Sequence, residues 1–189
     1  KIIVIRPAAV YGERSVYGAA LPIFQIARGQ IPFIIGPGNF AESFVHVDDV
    51  VGAAYFLAER YEEIGKIFAH KPPESRYIFN VNDDNAYTIE EMFLHVERCL
   101  RELGRDDVRL LHIHYPLWGL KPLIWWNQFC NRFFGMKLLI EQDLINYLGS
   151  PFLMSNAKLT ALMGYELKWP DVKEGIRETI AYYHRSEVL

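Results

Sequence analysis

The chain has only two cysteines, Cys99 and Cys130, far apart and outside any metal-ligand spacing. Neither a disulfide framework nor a zinc site is expected, and this usage fits a reducing cytoplasm. It has no basic excess: the formal net charge is -3 and the lysines and arginines are scattered, so nucleic acid is not an expected partner. No apolar run reaches the roughly 18 residues of a membrane span. Internal repeats are absent, and the opening residues do not read as a signal peptide. What is present is 189 residues, 51% hydrophobic and 14% aromatic, enough for one domain around a sizeable core.

One glycine-rich stretch invites a cofactor reading. Gly36-Pro37-Gly38-Asn39-Phe40-Ala41 superficially matches the fingerprint that holds a dinucleotide pyrophosphate. That chemistry requires a strand, then glycines, then a helix whose first amides face the phosphates. Here Pro37 removes a donor, Ala41 takes the third glycine position, Glu42 adds a carboxylate, and residues 43–47 are β-type. The spacing predicts a tight turn between strands, with no helix starting at Ala41.

The opening run at residues 2–5, ended by Arg6-Pro7, reads as a strand apolar on both faces and buried in a parallel sheet. Lacking an initiating Met, it suggests a piece of a longer protein. Residues 21–28, with Pro22 in the first turn and Gly29 beyond the end, read as a short helix. Strands are expected at 31–35, 43–47, 77–81 and 108–115, and a loop at 71–75. Asp48 or Asp49 is expected to cap a helix over 50–61. Thr88-Ile89-Glu90-Glu91 is a capping box for a helix ended by Gly104, with Cys99 on its core stripe. Ser155 is expected to cap a helix ending near Gly164, and Asp171 one running through Tyr183.

Residues 115–140 stand apart in composition, with Trp118, Trp125, Trp126, Phe129, Phe133 and Phe134 interrupted by Lys121, Pro122, Asn127, Gln128, Asn131, Arg132 and Lys137. Three readings stay open: a cap packed on the core, an apolar lid over a lipophilic substrate, or an interfacial helix making peripheral membrane contact. His112 and His114 share a strand face, but no third ligand accompanies them, so surface histidines are expected. His46 is read as a packing or hydrogen-bonding residue.

Taken in order, Arg6-Pro7-Ala8-Ala9-Val10-Tyr11-Gly12, Leu21-Pro22, Ile34-Ile35-Gly36-Pro37-Gly38, Phe44-Val45-His46-Val47-Asp48-Asp49-Val50 and Phe79-Asn80-Val81 resemble the C-terminal half of an extended short-chain dehydrogenase/reductase, of the NAD-dependent epimerase/dehydratase superfamily. The resemblance spans nearly all of 1–189, including the tail at Ser155-Asn156-Ala157-Lys158, Gly164-Tyr165 and Glu174-Gly175-Ile176. It implies an α/β fold: the C-terminal part of a Rossmann-type parallel sheet plus a small α+β substrate-binding subdomain. It also implies that the cofactor-binding glycines and the catalytic Tyr-x-x-x-Lys belong to a preceding half. No tyrosine here is followed four residues later by lysine.

By the same resemblance NAD or NADP is held mainly by that other half, with Pro7, Ala8, Ala9 and Val10 beside the nicotinamide. Tyr11, Leu21, Gly36, Glu42 and Trp125 become candidates for contact with a small-molecule substrate. Many sugar-nucleotide members carry an arginine after the glycine turn, gripping the diphosphate. This chain has Glu42-Ser43 there, leaving Arg14 or Arg76 as the alternative cations. The 3β-hydroxysteroid dehydrogenase-like branch is the more similar, which implies a secondary alcohol of apolar, sterol-like character. A nucleotide-sugar substrate, or a binding relative without catalysis, remains as the alternative.

Overall fold

The computed structural model describes residues 2–135 and 150–189. Its strands pair mostly in parallel. β1 (Val4–Pro7) runs parallel to β6 (Ile78–Val81), β2 (Ala9–Tyr11) to β5 (Phe44–His46), and β3 (Phe33–Ile35) to β8 (Leu111–Tyr115). A short antiparallel pair joins β4 (Ala41–Glu42) to β7 (Tyr87–Thr88). Parallel neighbours need crossovers, and helices supply them. They are α1 (Leu21–Ala27), α2 (Val47–Glu59), α3 (Tyr61–Ile67), α4 (Pro73–Arg76) and α5 (Ile89–Glu102), followed by α6 (Leu117–Phe134) and α7 (Val172–Arg185). The molecule is α/β, with the parallel pairing of a partial Rossmann-type fold.

Period-two alternation sends successive side chains of β5 into different cores. Phe44 joins Tyr11, Ile23, Ile26, Met92, Val96, Ile176 and Ile180 beneath α1, α5 and α7. Val45 joins Leu57, Ile64, Phe68, Phe79 and Leu159 beneath α2 and α3. Helices therefore cover both faces at β5, and each fully buried Leu, Ile or Phe there contributes about 1.5–3 kcal/mol.

The expected strand buried on both faces is thus β5 rather than β1. Ile3 and Ile5 pack against the second core, but Ile2 and Val4 are exposed, because the described helices cover one face of β1 only. The glycine turn is confirmed. Gly36 and Gly38 have φ of 73° and 68°, a region that favours glycine, and Ala41 enters a strand rather than a helix. The turn does not join a hairpin, since β3 and β4 each pair with a different strand.

Helix boundaries follow local chemistry. At Thr88 the capping box is complete: the hydroxyl accepts from the Glu91 amide at 3.2 Å, and the Glu91 carboxylate accepts from the Thr88 amide at 2.9 Å. α2 departs from expectation, starting at Val47 with His46 as its cap, its Nδ1 accepting from the Asp48 amide. Asp48 and Asp49 lie inside the first turn. Residues 71–75, expected as loop, include part of α4, and 157–163 form successive turns instead of an α-helix. Ser155 Oγ still accepts from the Ala157 amide, and Asp171 caps α7 as expected.

Candidate functional site

Between Pro7 and Ala9 the chain changes partner. The Ala8 amide donates to the Val81 carbonyl at 3.0 Å, while the Ala9 amide donates to the Ser43 carbonyl at 3.3 Å. β1 and β2 are therefore one extended segment that leaves β6 and joins β5, opening a fork at the carboxyl ends of parallel strands. Open α/β sheets place ligands at such points. Pro7 is exposed at the mouth, Ala8 is buried, and Ala9 and Val10 are half-buried.

A buried polar knot braces the fork. Tyr11 is completely buried and its hydroxyl donates to Asp83 Oδ2 at 2.9 Å. Asp83 follows β6, and its amide donates to the Phe44 carbonyl at 2.7 Å, so the end of β2 and the start of β5 are tied to the residues just after β6. Burial pushes the Asp83 carboxyl up to about 8, reinforced by the charge of Asp49 and opposed by the Tyr11 hydrogen bond. Burial likewise raises the Tyr11 phenol. The ring of Tyr11 meets His46 edge-on at 5.3 Å, and His46 packs against Trp169 at 5.1 Å. Burial lowers the His46 imidazole. Because its Nδ1 accepts from Asp48, the ring proton belongs on Nε2, which is buried without a hydrogen-bond partner.

Asp49, fully buried, accepts from the Lys168 amide at 2.7 Å, the Trp169 amide at 2.9 Å and the Tyr165 hydroxyl. It pins the segment before α7 onto the start of α2. Burial beside this carboxylate raises the Tyr165 phenol to about 12. Asp48, whose carboxyl is held low by its bond to Lys168, adds an ion pair at 2.7 Å on the surface.

The expected site residues do not all converge. Pro7, Ala8, Ala9 and Val10 form the fork, and Tyr11 faces inward, its hydroxyl engaged by Asp83. Glu42 is fully buried in β4, next to the Ser43 carbonyl that receives Ala9. Leu21 opens α1 and is partly exposed. Gly36 follows β3, its amide donating to the Tyr115 carbonyl at 2.8 Å. Trp125 lies on the outward face of α6, 66% exposed. Among the described residues, no hydrogen bond or ring contact joins Leu21, Gly36 or Trp125 to the fork. Arg76 donates to the Lys71 and Ala69 carbonyls, so its guanidinium secures the turn before α4; Arg14 is exposed and bonds to Tyr182. His112 and His114 are exposed, and the described residues contain no metal-ligating group of three.

Sequence reasoning missed Asp83 and Asp49. The sequence offers Asp49 only as a possible cap of the helix after it, and Asp83-Asp84 draws no reading. The available signal was the pairing itself, since in Asp48-Asp49 and in Asp83-Asp84 one member is buried while its neighbour is exposed.

No protein-family model and no curated protein matches the chain. Solved structures do. A UDP-glucose 4-epimerase from Thermotoga maritima with UDP-glucose superimposes with a TM-score of 0.58 at 22% identity, covering 98% of this chain and 46% of the other. A UDP-glucose 4-epimerase from Thermus thermophilus in complex with NAD gives 0.58 at 17%, covering 96% and 46%. A dTDP-glucose 4,6-dehydratase from Bacillus anthracis in complex with NAD gives 0.58 at 16%, covering 98% and 45%. The chain therefore shares the fold of these enzymes and spans about half their length.

Proposed function

We propose that residues 1–189 are the C-terminal, substrate-binding half of an NAD(P)-dependent oxidoreductase or epimerase that acts on a secondary alcohol. The observation that carries this reading is the fork at Pro7–Ala9, where the parallel pair β1 and β6 ends and the chain passes to β5, the kind of point at which open α/β sheets hold ligands. The fold it shares with an NAD-bound epimerase and an NAD-bound dehydratase supports it. Pro7 is exposed and is followed by the small residues Ala8 and Ala9, so the backbone is approachable there by a planar ring such as nicotinamide. The described residues offer no glycine-rich holder for the diphosphate, which falls to a preceding half together with the Tyr-x-x-x-Lys proton-transfer pair. The bound nucleotide supplies hydride transfer at the carbinol carbon; this chain's residues hold the substrate and close the site to water.

For the substrate, an apolar, sterol-like alcohol is favoured by the buried Glu42 where a diphosphate-gripping arginine would stand, and by the engagement of Arg76 with carbonyls. Burial of apolar ligand surface contributes roughly 25 cal/mol per Å², so few polar contacts are needed. The second reading is a nucleotide sugar, favoured by the UDP-glucose bound in the Thermotoga maritima epimerase. Calorimetric titration of the full-length protein with a 3β-hydroxysteroid and with UDP-glucose separates them. Saturable steroid binding without UDP-glucose binding is the expected result. Tight UDP-glucose binding alone would replace the apolar reading with the nucleotide-sugar one.

A further inference from the structure

Helix α6 is inside out for a protein in water. Trp118, Trp125, Phe129 and Phe133 recur at spacings of seven, four and four and fall in one stripe, with Trp126 beside it. Trp118, Trp125, Trp126 and Phe133 are 73%, 66%, 58% and 65% exposed. The opposite face holds the buried side chains Ile124, Asn127 and Cys130, so an amide points inward while indoles point outward. The stripe is ordered within itself: Phe129 stacks on Trp125 at 6.0 Å, on Trp126 at 5.7 Å and against Phe133 at 4.6 Å. A surface helix of a water-soluble fold shows the reverse arrangement.

The charges on α6 identify what covers this face. Its only ionisable side chains with formal charge are Lys121 and Arg132, both exposed and both on the same edge of the stripe by helical spacing, in a chain whose net charge is -3. A Trp/Phe stripe edged by cations matches the headgroup boundary of a bilayer, where indoles favour the polar-apolar interface and long cationic side chains reach phosphates. A second copy fits less well. Antiparallel pairing of the helix about its centre sets Lys121 against Arg132, and parallel pairing sets each against itself, with no acid on the helix to compensate. A span across the bilayer is excluded for α6, since no described helix is long and apolar enough.

We infer that α6 is a monotopic membrane-docking element, lying in the plane of an anionic lipid surface with its aromatic stripe in the headgroup-acyl boundary. The inference is independent of the reaction proposed above. The test is flotation of the purified protein with phosphatidylcholine vesicles, alone or mixed with phosphatidylglycerol, alongside tryptophan quenching by brominated acyl chains. Co-flotation with the anionic vesicles and quenching are expected. The double substitution Trp125→Ser, Trp126→Ser should abolish both. Lys121→Gln with Arg132→Gln, at exposed positions that leave packing intact, should weaken anionic-vesicle binding about thirtyfold. Absence of flotation of the full-length protein with either vesicle would overturn the inference and give the aromatic face to the preceding half of the protein. Vesicle binding that both double variants leave unchanged, or a lipid-independent dimer that Trp125→Ser, Trp126→Ser dissociates, would also overturn it.

Discussion

Asp83 is a carboxyl whose folded-state proton affinity is raised, and the sign of its contribution follows. Between about pH 4 and about 8 the native state holds a proton that the unfolded chain has released, so stability falls as pH rises through that window and levels off above it. The slope is at most about 1.4 kcal/mol per pH unit for this group. Asp83→Asn keeps an acceptor for the Tyr11 hydroxyl and removes the charge. Thermal melts of the variant should be flatter over that range than those of the wild type, and higher at the alkaline end. Parallel pH profiles for the two proteins would refute the assignment. Gly12 shows a different constraint on the same spot: its φ is 132°, and an added Cβ would run into Val47 and the His46 ring.

Among the elements, α5 has both of its ends written locally. The Thr88 capping box closes its first turn, and Gly104 at φ 86° lies just beyond its last. Thr88→Ala removes the hydroxyl that accepts from the Glu91 amide and should cost about 1 kcal/mol in chemical denaturation, with the helix content otherwise unchanged. A loss near zero would mean that water replaces the cap. α2 is defined differently. Its cap is an imidazole at the end of a buried strand, and its first turn carries the carboxylate of Asp49 that fastens residues 165–169 to the start of the helix. The helix starts where the strand stops because His46 serves both.

In the whole molecule, two helical layers meet across β5, and the polar knot of Tyr11, Asp83, His46 and Asp49 joins segments separated by as many as 120 residues. This arrangement holds the fork firmly but supplies no proton-transfer pair: Tyr11 is buried and committed to Asp83, and no Tyr-x-x-x-Lys exists. The isolated chain should therefore show no NAD(P)-linked turnover with either a hydroxysteroid or UDP-glucose, followed by nicotinamide absorbance. Measurable turnover by the purified 189-residue chain would place the chemistry in these residues and remove the two-half reading.

Features that depend on neighbours a few residues away were legible in the sequence: the helix at 21–27 between Pro22 and Gly29, the Thr88 box, the Asp171 cap and the refusal of the Gly36–Gly38 turn to lead into a helix. Each rests on a dihedral preference or a hydrogen bond spanning at most four residues. The order of motifs from Arg6 to Phe79 also carried the α/β class, because alternating strands and helices leave few ways to cover a parallel sheet. Only the tertiary structure decided which strand is buried on both faces, which acid of each pair enters the core, and which way the α6 aromatics point. Burial is set by what packs from elsewhere in the chain: Trp169 and Lys168 reach Asp49 across more than a hundred residues, and among the described residues nothing covers the outer face of β1 while β5 is enclosed. An apolar stripe in a sequence states that a face avoids water; whether protein or lipid satisfies it is determined by the surface the fold leaves open.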